Sequence, residues 1–87
     1  MALRFIGIDP DTGKEGSPTV WVDEESREVV VQGWLPDPAT VREIEEKAWA
    51  PDHSPGVPKG EGVVRIPASM AAILREALDV IDRDGVR

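Results

Sequence analysis

The chain has 87 residues, a net charge of −7 and no cysteine. That length fits one domain over 1–87 and not two, and the missing cysteines exclude disulfide staples and a thiolate zinc site. Residues 1–50 hold eleven acidic and five basic side chains, residues 51–87 six and five, so the acidic half repels phosphate backbones and argues against direct nucleic-acid binding.

The first element in chain order is a strand over 3–9, rich in Phe5, Ile6 and Ile8. Arg4 and Asp9 interrupt its apolar run, so it is no signal peptide. No stretch reaches the roughly 20 apolar residues of a membrane span, and the expected location is the cytoplasm. The turn formers of 9–18 make a loop. Strands over 19–23 and 28–34 then form a hairpin closed at Glu24–Arg27. A tight turn pairs Val22 with Val29 and Val20 with Val31, and alternation puts all four valines on one face, the natural core side. The opposite face carries Trp21, Val30 and Trp34 among Thr19, Asp23, Glu28 and Gln32. Asp23 opposite Glu28 is an unfavourable like-charge pair.

Asp37 with Pro38 next to it predicts a helix start; Thr40 with Glu43 offers a capping box as the alternative. Val41, Ile44, Ala48 and Trp49 follow helical spacing, with Trp49 expected in the core. Residues 50–62, with three prolines and three glycines, read as a flexible loop. A short fourth strand is expected over 62–66. After Pro67, the residues Met70, Ile73, Leu74, Ala77, Leu78 and Ile81 mark one helical face, ended by Gly85, with 83–87 as a C-terminal tail. The expected fold is α+β in the order β-β-β-α-β-α, a small, partly antiparallel sheet packed with two helices.

Each segment that suggests chemistry departs from its pattern. Phe5-Ile6-Gly7-Ile8-Asp9-Pro10 resembles the first strand of ribonuclease H-like nucleases, in which a strand-end aspartate binds magnesium. Two-metal chemistry needs several converging carboxylates, yet the fourth strand ends in Arg65-Ile66-Pro67, so only Asp9 carries over. Asp11-Thr12-Gly13 matches the triplet of aspartic proteases, but Pro10 precedes it and Lys14 follows. Asp9, Asp11, Gly13 and Glu15 alternate like the opening of a calcium loop, whose twelfth position must be acidic; here it is Val20. His53 is the only histidine and sits in the loop beside Ser54, with no triad order around it. The glycines at 56, 60 and 62 lead into no phosphate-binding helix start. No cofactor is expected.

Met1-Ala2-Leu3-Arg4-Phe5-Ile6-Gly7-Ile8-Asp9-Pro10, Pro18-Thr19-Val20-Trp21-Val22-Asp23-Glu24-Glu25, Val31-Gln32-Gly33-Trp34 and Val63-Val64-Arg65-Ile66-Pro67-Ala68 with Met70 carry a broader resemblance. Over about half its length, the chain resembles a group of small streptomycete-type actinobacterial proteins encoded near helix-turn-helix regulators. That group has no established activity and transfers no functional residues. It implies only a regulatory setting.

Three functional expectations follow. The leading one is a non-enzymatic protein that binds a protein partner, basic or a transcriptional regulator, through Trp21, Val30 and Trp34 with Asp23 and Glu28 as an acidic rim. The second is a metal-dependent hydrolase using Asp9, Asp11 and Glu15. The third is a self-associating structural domain, with the tryptophan face buried in a homodimer.

Overall fold

A computed structural model of the chain describes residues 2–13 and 16–85, with side chains described up to 83. The elements are β1 (Leu3–Ile8), β2 (Thr19–Asp23), β3 (Glu28–Gln32), α1 (Pro38–Glu46), a 3₁₀ turn over Ala68–Met70 and α2 (Ala71–Gly85). The fold is α+β: a three-stranded antiparallel sheet in the order β1-β2-β3, with two helices. Two compact units make up the chain, Met1–Gly33 with Ile66–Arg87, and Trp34–Arg65.

In the first unit the hairpin has the register that its valines require, Val20 against Val31 and Val22 against Val29. Val20 and Val22 are fully buried with Met70, Ala77 and Val80, and Val29 and Val31 pack at their margin. This small core joins one sheet face to α2. Asp23 resolves its clash with Glu28 by turning its carboxylate to the tip, where Oδ1 accepts from the amides of Glu25 and Ser26 at 3.1 and 3.2 Å. Arg27 closes that turn at φ 59° and donates its amide to the Asp23 carbonyl at 2.8 Å.

β1 joins β2 through a bulge. Phe5 pairs with Trp21 and Gly7 with Val20, so Ile6 is the extra residue. A bulge of this kind returns the next residues to the opposite alternation. Gly7 therefore faces α2, and a methyl added there would lie 3.0 Å from three carbons of Ile73.

The buried line runs from Met70 of the 3₁₀ turn into Ala77 and Val80 of α2, flanked by Ile73, Leu74 and Ile81. Leu78, expected on this face, is 56% exposed; Val80 takes the inward position that the 3.6-residue period assigns one turn beyond Ala77. Helix α2 extends through Gly85, so the expected tail is helical at 83–85, and 86–87 lie outside the described residues.

In the second unit Asp37 is the N-cap of α1, its Oδ1 accepting from the Thr40 amide at 2.8 Å, with Pro38 in the first turn. The expected fourth strand is a single antiparallel bridge: Trp34 and Arg65 exchange amide hydrogen bonds of 2.9 and 2.8 Å. Pro67 has no amide proton to extend such a ladder. Arg65 also reaches the Thr40 hydroxyl at 3.2 Å. Trp49 corrects its core assignment: α1 stops at Glu46, because Lys47 is extended, and Trp49 is 60% exposed. Its indole N–H donates to the Ile44 carbonyl at 3.1 Å, and the Lys47 ammonium stands 4.8 Å from its ring centre.

Candidate functional site

Strand alternation and register fix the sheet face turned away from α2. Three rows cross it from β1 to β3: Leu3–Asp23–Glu28, Phe5–Trp21–Val30 and Ile8–Thr19–Gln32. The middle row is wholly apolar. Phe5 is 58% and Val30 37% exposed, with Trp21 half-buried between them; Leu3 and Ile8 are exposed beside them. Together these residues form an apolar surface with an aromatic centre, bordered at one end by the carboxylates of Asp23 and Glu28. The other end is polar and internally satisfied, since the Ser17 carbonyl accepts from the Thr19 hydroxyl at 2.9 Å and the Gln32 amide at 2.8 Å.

Of the expected partner-binding residues, the structure brings Trp21, Val30, Asp23 and Glu28 onto one face. Trp34 belongs to the second unit, where its backbone is engaged by Arg65. Leu3, Phe5 and Ile8 complete the face and were missed. The alternation of Leu3 and Phe5 was visible in the sequence, but the bulge at Ile6, which restores Ile8 to the same side, was not.

The Asp9 loop has a different character. Asp9 is 4% exposed, and all its contacts are internal. Oδ1 accepts from the Ser69 hydroxyl at 2.6 Å and the Asp11 amide at 3.3 Å; Oδ2 accepts from the Thr12 hydroxyl. The Asp9 amide donates to the Pro18 carbonyl at 2.9 Å. The hydroxyls of Ser69 and Thr12 hold the carboxyl below its ordinary pKa, outweighing burial, which acts the other way. Asp9 thus fastens the end of β1 to the turn that opens α2. Asp11 is exposed and Glu15 lies outside the described residues. Among the described residues no three His, Cys, Asp or Glu side chains are grouped to hold a metal.

Around Trp49 the second unit has a shallow hollow lined by Ala48, Trp49, Ala50, Pro51, Asp52, His53 and Ser54. The His53 amide donates to the Ala50 carbonyl at 3.3 Å. No described helix is long and apolar enough to cross a membrane. The chain gives no match to protein-family models, to curated proteins or to solved structures.

Proposed function

We propose that this protein is a non-enzymatic interaction module of the cytoplasm, and that the outer sheet face centred on Phe5, Trp21 and Val30 is its contact surface. The supporting observation is the apolar row itself, exposed at Phe5 and Val30 with Trp21 half-buried between them, in a molecule with a very small core. Aromatic anchors inside a polar rim are the groups that dominate binding energy at protein interfaces. Asp23 and Glu28 at one end, and a net charge of −7, favour a basic partner, a transcriptional regulator being one such class.

Capture of partners by the intact chain tests this reading when paired with two variants. Phe5→Asp places a charge in the apolar row, while Leu78→Asp places one on the exposed flank of α2. A protein retained by the wild type and by Leu78→Asp, but lost with folded Phe5→Asp, is the expected result. Its binding should weaken as salt rises, as steering between opposite charges does. A partner held equally by Phe5→Asp removes the face from the account.

A further inference from the structure

We infer that the outer edge of β3 pairs with β3 of a second copy of this chain, antiparallel about a two-fold axis at Val30, making a continuous six-stranded sheet. This does not rest on the proposed use of the outer face; it concerns the strand's edge.

β3 is the terminal strand of the sheet, and only alternate residues of an antiparallel edge strand bond inward. Among the described residues no backbone hydrogen bond reaches its other side. Natural edges are blunted by bulges, lysine or proline. β1, the opposite edge, has its bulge between Phe5 and Gly7, but β3 is regular throughout and reads Glu-Val-Val-Val-Gln.

The edge Glu-Val-Val-Val-Gln is complementary to itself, and charge selects the register. With Val30 on the axis, Val29 meets the partner's Val31 and Glu28 meets the partner's Gln32, so no like charges face each other. The antiparallel sense also sends the two acidic hairpin tips, each with Asp23, Glu24 and Glu25, to opposite ends of the junction. Five residues at about 3.3 Å each separate those tips by more than a Debye length of about 8 Å. A parallel pairing would set the tips side by side. The apolar row would then run unbroken from Phe5 through Val30 of one copy to Phe5 of the other. So short an edge gives a weak dimer.

Sedimentation of the full chain from about 20 μM to about 1 mM reads the association directly. The expected result is a monomer–dimer equilibrium that tightens with added salt, because the two chains repel. Gln32→Glu sets two symmetry-related like-charge pairs against Glu28 and should weaken the dimer about two- to thirtyfold. Gln32→Lys sets two opposite-charge pairs and should tighten it by a similar factor. Gln32→Glu loses the donor to the Ser17 carbonyl whereas Gln32→Lys keeps one, so the melting midpoint of each variant is measured alongside to separate the junction from the fold. Phe5→Ala should leave the constant unchanged. A monomer throughout this range overturns the inference. So does a dimer indifferent to the two Gln32 variants, or one abolished by Phe5→Ala.

Discussion

Asp9 ties the end of β1 to Ser69 in the 3₁₀ turn before α2. It follows a hydrophobic strand and precedes proline, as a metal-binding strand-end aspartate would. In the structure its two oxygens are taken by Ser69, Thr12 and the Asp11 amide. Ser69 lies sixty positions away, and nothing local to Asp9 announces it. The depressed pKa of Asp9 means that the folded state binds its proton less readily than the unfolded chain. The resulting stability is fully present above the unfolded value of about 3.9 and is lost as pH falls through the lower folded value. Asp9→Asn should lower the melting midpoint at neutral pH and flatten its fall below about pH 4. Asp37, also depressed, chiefly by its hydrogen bonds with Thr40, keeps its own share of that fall in the variant. Thermal melts across acidic pH check this; superimposable wild-type and variant profiles would contradict it.

Among the elements, the hairpin was the most legible part of the sequence. Four valines at alternating positions around a polar tetrad admit one register that buries them together, and that register is present. The pairing of β1 was less so, because a bulge adds a residue without leaving a mark in the hydrophobic pattern. Helix α2 was legible along Ile73, Leu74, Ala77 and Ile81, with one exception: Leu78 is exposed and Val80 is buried. Hydrophobicity alone favours leucine over valine, whereas position on the helix decides which of the two is buried. Trp49 fell outside its helix because the chain leaves α1 before the last apolar position is reached. Gly7→Ala should destabilise the fold by about 1–3 kcal/mol, since its methyl would press on Ile73. Adding Ile73→Val should recover part of that loss, giving a coupling between contacting residues. Leu78→Ser should stay within about 0.5 kcal/mol of wild type. Denaturant unfolding of the wild type, the two singles and the double of this pair, and Leu78→Ser separates these outcomes, and an unperturbed Gly7→Ala would show that α2 does not sit against β1 as described.

For the molecule as a whole, the outer sheet face is the feature that the fold leaves unspent. The carboxylate of Asp9, by contrast, is satisfied internally. The sequence announced the centre of the face through Trp21 and Val30, and concealed the bulge that brings Ile8 of β1 onto it. Chemical-shift mapping of the labelled chain on addition of its captured partner tests the central assignment most directly. The largest changes should fall on Leu3, Phe5, Ile8, Trp21 and Val30. A footprint confined to residues 34–65 or to the exposed flank of α2, with those five unmoved, would contradict it.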